Sequence, residues 1–281
     1  DNPAWAAAAS LCERVVALFV VDPRLWERAG EHRRSQLAAH LGVLDGALRV
    51  WGGRLRVRHG DPRQVVPVEA DALRAELVAW NGDVTPYAAR RDAAVARQLD
   101  GRTKVYAGRF VHAPGRVLTA DGRPFRVFTP FYRQWQATAW EAWTEPGRAD
   151  VDGDPGDGVP AAGRPAMEPG EAAAAVRLES FLAGIDRYGE ERDRPDLDTT
   201  SRLSADLKFG TISPRTVVRR AEGPGSGREA FVRQLAWREF YAHLLAAFPG
   251  TRHRAMRPEY DRVAWRNDPE GLAAWAQGRT G

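Results

Sequence analysis

The hydrophobic period of this chain changes across a Gly-, Pro- and Asp-rich stretch at residues 144–171, and that change limits the folds open to it. Before the stretch, short β-branched runs alternate with segments of helical spacing; from Ala172 onward every periodic segment is helical. Strands and helices bury different faces, so such a chain builds an α/β layer first and an all-α layer after it. Residues 15–21 are a continuous apolar run ending at Asp22-Pro23, suited to a strand buried on both faces of a parallel sheet. Leu37, Leu41, Leu44 and Leu48 recur at helical spacing, and Leu55 and Val57 alternate with arginines as in a half-exposed strand. Residues 2–11, 71–80 and 87–99 read as helices. The expectation is a doubly wound parallel-sheet α/β domain over residues 1–130, a connecting segment over 131–171, and an all-α domain over 172–281. The Gly/Pro/Asp-rich stretch is expected to be a solvated linker with nothing to bury. Its Asp152, Asp154 and Asp157 lack the spacing and closing glutamate of an EF-hand.

Several kinds of chemistry are unsupported. There is no G-x-G-x-x-G and no G-x-x-x-x-G-K, which removes the two common phosphate loops. His32, His40, His59, His112, His243 and His253 are scattered, with none in a metal-ligand spacing, so hydrolytic and metal chemistry have no footing. Cys12 is alone and cannot form an internal disulfide, which fits a reducing cytosol. No apolar run reaches membrane-spanning length. The balance of 41 Lys+Arg against 37 Asp+Glu gives a net charge of +4, which permits nucleic-acid contact without demanding it.

Hydrogen-bond donors concentrate at Thr199-Thr200-Ser201-Arg202-Leu203-Ser204, just ahead of a short helix expected over residues 205–209 and ended by Gly210. Unpaired N–H groups at a helix start favour an anion, and the Arg202 fork suits phosphate oxygens. A plain helix cap accounts for the same hydroxyls. After Ser213-Pro214 and a Gly-Pro-Gly-Ser-Gly loop, a long helix is expected from about residue 228 to 248. Its apolar residues cover over half its circumference, with Gln234 and Arg238 near the middle of that arc. Either these two pair with each other, one turn apart, or with neighbouring loops, or they face a polar ligand in an aromatic-walled cleft.

Tyr188-Gly-Glu-Glu-Arg-Asp-Arg-Pro195, Thr200-Ser-Arg-Leu-Ser204, Leu207-Lys-Phe-Gly210, Ser213-Pro-Arg215 and Trp237-Arg-Glu-Phe-Tyr241 together resemble the flavin domain of the DNA photolyase/cryptochrome family, in its order and spacing. Asp1-Asn-Pro-Ala4, Val127-Phe-Thr-Pro-Phe131, Arg133, Trp275 and Gly278-Arg-Thr-Gly281 extend the resemblance along essentially the whole chain. The resemblance implies an antenna-type α/β domain without its first strand and an incomplete, helical FAD-binding domain. The family's first strand would precede Asp1. Its remaining flavin-binding half, with the catalytic groups over the ring and the relay tryptophans, would follow Gly281. A piece of that extent is not expected to repair DNA alone.

Further implications concern the site. The diphosphate of FAD would lie against Thr200, Ser201, Arg202, Leu203 and Ser204, with Tyr188 lining the same pocket and Phe231 beside the flavin. Gln234, Trp237, Arg238 and Tyr241 would face flipped-out damaged pyrimidines, Trp237 stacking on a base. The implied reaction is light-driven electron donation from reduced flavin that splits a cyclobutane pyrimidine dimer. Gln234 stands where many dimer photolyases carry glutamate, and glutamine also occurs there in (6–4) photolyases and light sensors. A cryptochrome-like photoreceptor or a (6–4)-type relative is therefore the alternative, and a non-flavin nucleotide-binding module the one outside the family. Trp80-Asn81-Gly-Asp-Val-Thr-Pro86-Tyr87 lacks the Asn-Glu pair of the folate-binding type, which favours a deazaflavin antenna or an empty antenna site. The implied partner is damaged DNA, with no membrane, for a cytoplasmic protein that is monomeric at full length.

Overall fold

Among the described residues, six helices begin at a short polar residue followed by proline. The computed structural model describes residues 1–142, 145, 147–161 and 163–280. Trp143, Thr144, Pro146 and Ala162 of the expected connecting segment, and Gly281 of the closing motif, lie outside the described residues. Asn2, Asp22, Asp61, Thr85, Ser213 and Asp268 each accept a backbone N–H of the helix they precede, and each is followed by proline at the first helical position. The side-chain oxygen satisfies an orphan donor, and proline removes another while presetting φ. These starts open α1 (Pro3–Leu11), α2 (Pro23–Trp26), α4 (Pro62–Ala72), α5 (Pro86–Gln98), α10 (Pro214–Ala221) and α12 (Pro269–Ala276). Between them lie α3 (Glu31–Val50), α6 (Phe128–Ala137), α7 (Glu171–Leu182), α8 (Tyr188–Glu191), α9 (Ser204–Phe209) and α11 (Ser226–Ala247).

The strands are β1 (Arg14–Val15), β2 (Ala17–Val21), β3 (Leu55–His59), β4 (Val78–Asn81), β5 (Thr103–Tyr106) and β6 (Asp150–Val151). Among the described residues they pair in parallel as β1 with β6, β2 with β3 and β4 with β5. The alternating α/β part followed by helices alone is the expected fold class. Two local expectations fail. Residues 71–80 are not a helix: Asp61-Pro62 starts α4 nine residues earlier, Arg74 turns the chain at φ 51°, and residues 78–81 become β4 against β5. The apolar run at 15–21 is broken at Val16 into β1 and β2.

The connecting segment is also not a solvated linker. Its Val151, 3% exposed, enters the core with Val21, Leu41, Leu48, Leu55 and Val57. Gly53 is required there, because a β-carbon on it would fall 2.4 Å from the Val151 Cβ. Val57 N–H donates to the Pro155 carbonyl and Asp157 N–H to the Val57 carbonyl. Asp152 and Asp154 pair with Arg56, which is 7% exposed and also meets Glu69 of α4. Composition alone hides this, because single apolar and acidic residues in a Gly/Pro-rich stretch carry no period.

A cavity also shapes the α/β part. Among the described residues β2 and β4 each pair on one side alone, and residues of both line a cavity of about 740 Å³ together with residues of α1 and α4. β2 and β4 are accordingly half-buried over most of their length, whereas Leu55, Arg56 and Val57 of β3 are buried.

Residues 1–247 form one compact unit and residues 248–281 another. The second unit comprises two 3-10 turns (Pro249–Arg252 and Pro258–Arg262) and α12, with Trp265 and Trp275 exposed. No helix among the described residues is long and apolar enough to cross a membrane. Val151→Ala is expected to lower the unfolding free energy by about 2 kcal/mol, as loss of buried methyl groups does. A solvated linker would show no change in urea denaturation.

Candidate functional site

The site is built on α11, at 22 residues the longest helix described. Its start requires Gly227, where a β-carbon would sit 2.1 Å from the Ile185 carbonyl oxygen. That close approach brings α11 against the 3-10 turn Ile185–Arg187 and α8, and so brings Phe231 to Tyr188. The two rings meet edge to face at 5.4 Å, with Phe181 4.5 Å from Phe231, and all three are buried. Burial raises the Tyr188 phenol above its ordinary range.

The donor run lies on the approach to α9. Thr200, Arg202 and Ser204 are exposed, Ser201 is half-buried, and Leu203 is 1% exposed and anchors the run. Arg202 adopts φ 50° and reaches only to Asp198, at 2.7 Å, in a pair exposed on both sides. No side chain caps α9, so hydroxyls account for less of its start than a plain cap would require. Behind it, Asp206 is fully buried and held by Arg177 through Nε at 3.0 Å and Nη2 at 2.8 Å, and by the Thr211 hydroxyl at 2.9 Å. This ion pair fastens α9 to α7 and leaves the donor run facing outward.

Further along α11 the sequence-selected residues line up, half-buried at Gln234, Trp237 and Arg238 and 62% exposed at Tyr241. Arg238 pairs with a neighbouring loop, one of the expected alternatives, and not with Gln234. Its Nη1 donates to the Arg109 carbonyl at 3.0 Å and its guanidinium lies 5.8 Å over the Phe110 ring. Burial lowers the Arg238 guanidinium from its ordinary value, against the pull of Glu239. The Trp237 indole stacks on Phe128 at 3.6 Å and lies 5.6 Å from Tyr241.

The residue that sequence reasoning passed over is Glu239. It is 1% exposed and accepts from the Val111 amide, the His112 amide at 3.1 Å and the Trp135 indole N–H at 2.8 Å. Between β5 and α6 the chain runs without helix or strand, so the buried amides at 111 and 112 have no ladder to satisfy them. Glu239 supplies that partner. Its signal was legible: it falls one turn after Leu235 and two after Phe231, in the buried stripe of α11. His243, a turn further on, meets the His112 carbonyl at 3.3 Å, and the His112 ring meets the Trp135 carbonyl at 3.0 Å. Burial pushes the Glu239 carboxyl up to about 7, against the opposing pull of these three N–H donors and of Arg238. Burial also lowers both imidazoles below their usual range.

Among known proteins, the family description DNA photolyase matches residues 1–147 and FAD binding domain of DNA photolyase matches residues 231–281. The chain belongs to the DNA photolyase family. The deoxyribodipyrimidine photo-lyase of Streptomyces griseus is 38% identical over all of this chain and 65% of its own length. That of Halobacterium salinarum is 36% identical over 95% of this chain and 61% of its own length. The chain thus spans somewhat under two thirds of the length of these two relatives. The crystal structure of a bacterial class III photolyase from Agrobacterium tumefaciens superimposes with a TM-score of 0.84 at 27% identity, covering 99% of this chain and 62% of that one.

The arrangement presents flat aromatic surface, a fixed cation and an amide on one helix, next to a buried aromatic trio and an outward donor run. Glu239 gives it a pH signature. A carboxyl raised from 4.5 to about 7 stabilises the fold fully below its ordinary value and loses that contribution as pH rises through about 7. Glu239→Gln removes this dependence while leaving those of His112 and His243 in place. The stability difference between wild type and Glu239→Gln should therefore shift by on the order of 3 kcal/mol between pH 4.5 and 8, to the wild type's disadvantage at high pH. A difference that stays constant across urea melts in that range would contradict the assignment.

Proposed function

We propose that this chain carries the cofactor-cradling and lesion-facing parts of a light-driven deoxyribodipyrimidine photolyase, which splits pyrimidine dimers in DNA with an electron from reduced flavin adenine dinucleotide. One juxtaposition carries the reading. On α11, Gln234, Trp237, Arg238 and Tyr241 directly follow Phe231, whose ring is packed on Tyr188. A nucleobase surface and a cofactor wall thus share one rigid element.

The donor set fits a diphosphate. Thr200, Ser201 and Ser204 offer hydroxyls, the first N–H groups of α9 have no side-chain cap, and the Arg202 guanidinium is held only at the surface by Asp198. When bound, the flavin supplies the light-driven electron transfer. The remaining work is done by this chain's own residues. Arg202 and the hydroxyls bind phosphate oxygens, with Leu203 anchoring the run. Tyr188 and Phe231 exclude water from one side of the pocket. Trp237 stacks on a base that has left the duplex, with Tyr241 beside it. Gln234 can both give and accept hydrogen bonds at a pyrimidine edge, and Arg238 adds a fixed positive charge.

The same reading makes residues 1–130 an antenna-type domain, better suited to a deazaflavin than to a folate, residues 131–171 its connection, and residues 172–281 part of the flavin domain. It also makes the protein a cytoplasmic monomer whose partner is damaged DNA.

The test uses protein at the length of the curated relatives, illuminated under reducing conditions with a thymine-dimer oligonucleotide. Dimer loss that needs both light and extractable flavin is expected. Colourless protein yielding no flavin and no repair would favour a non-flavin nucleotide-binding module. Arg202→Ala should weaken flavin retention by about 1.5–3 kcal/mol, the worth of a charge-assisted contact. Its exposed pair with Asp198 contributes little to the fold, so the melting temperature should barely move. Unchanged flavin content with a lowered melting temperature would make the arginine structural.

A further inference from the structure

Trp237 is not free on both faces. The Phe128 ring lies 3.6 Å from it, centroid to centroid, and 7° from parallel. Phe128 opens α6, is 5% exposed, and is hemmed by Phe240 edge-on at 5.7 Å and by Tyr132 at 5.7 Å. The Arg233 guanidinium lies 5.3 Å over the Phe128 ring and 5.4 Å over that of Tyr132. Such cation–π contacts hold a ring in place as well as attracting charge. Nor can α6 slide along α11, because the Trp135 indole N–H is bound by the Glu239 carboxylate at 2.8 Å and the Trp135 carbonyl meets the His112 ring at 3.0 Å.

We propose that Phe128 is a positioning residue for the base-stacking platform, committing one face of Trp237 so that the indole takes a single unpaired base on the other. The inference rests on reading α11 as a nucleobase-facing helix, but on neither the lesion nor the flavin. An indole free to rotate must give up rotamer freedom when a base stacks on it. One already stacked on a fixed ring has given up that freedom during folding, and binding is stronger for it. Tyr241, exposed and tilted 26° from the indole at 5.6 Å, adds a further aromatic ring next to it. Pre-orientation of this kind needs a flat backing ring; an aliphatic side chain of similar volume would fill the space without setting the angle.

Phe128→Leu keeps an apolar side chain in place and removes the flat ring, while Phe128→Tyr restores the ring. Phe131→Leu is the matched control, since Phe131 is 1% exposed in the same helix and packs on Phe240 and His243. Each variant is labelled with 5-fluorotryptophan, the Trp237 resonance is assigned with Trp237→Phe, and binding to single-stranded oligothymidylate is titrated by fluorescence anisotropy. Phe128→Leu should move the Trp237 resonance and weaken oligothymidylate binding about fivefold, a part of one base's stacking contribution. Phe128→Tyr should restore both, and Phe131→Leu should leave both near wild type. The proposal is overturned if wild type does not bind oligothymidylate, if Phe128→Leu leaves resonance and affinity unchanged, or if Phe131→Leu weakens binding as much. A dimer-bearing strand is titrated alongside. Equal wild-type affinity for both strands, with Phe128→Leu weakening both, upholds the positioning role and removes the photolyase reading.

Discussion

The buried carboxyl of Glu239 is the constraint on which the rest of the site depends. Three N–H donors from two places in the chain, the amides of Val111 and His112 and the indole of Trp135, converge on its two oxygens. Leaving any one of them unpaired in the interior would cost roughly 1–3 kcal/mol, so the contacts are held together. They set how α11 is turned about its axis and pin the irregular stretch after β5 along it. Arg238 then finds the Arg109 carbonyl, and α6 is held where Phe128 meets Trp237. The polar contact is interior, and the surface it orients is aromatic.

Arginine is abundant here, yet much of it works inside the fold. Arg56 joins β3, α4 and the connecting segment, and Arg177 holds Asp206 beneath the donor run. Against the cost of burial, Arg54, the Leu55 amide and Arg49 hold the Asp45 carboxyl at about 2. Each such guanidinium meets a carboxylate within the protein. The net charge of +4 is therefore a poor guide to nucleic-acid contact. Arg202 and Arg238 differ from this pattern. The first has only an exposed partner, and the second has a carbonyl and a ring instead of a carboxylate.

Family membership and local geometry bear on different questions. Membership assigns the fold and the cofactor class, because the matched regions fall in both the α/β and the helical parts. Geometry adds what a family description does not contain. Phe231 is packed on Tyr188 and Phe181, so the wall proposed for the cofactor is a hydrophobic cluster made by the chain's own side chains. The donor run, by contrast, is exposed at Thr200, Arg202 and Ser204.

Local chemistry settled those features whose cause lies within a few residues. A polar cap followed by proline started six helices, Gly210 ended α9 in the left-handed region, and the period change divided α/β from all-α. The length of α11 and the half-buried setting of Gln234 and Arg238 followed from helical spacing. Contacts between distant residues were another matter. The burial of Val151, the strand at residues 78–81, the stacking of Trp237 on Phe128 and the role of Glu239 each depend on a partner between 25 and 128 residues away in sequence. A glutamate in an apolar stripe announces that it needs donors, but not which. Only the packed chain brings the amides of Val111 and His112 to it, because their identity is a matter of position in space and leaves no local pattern.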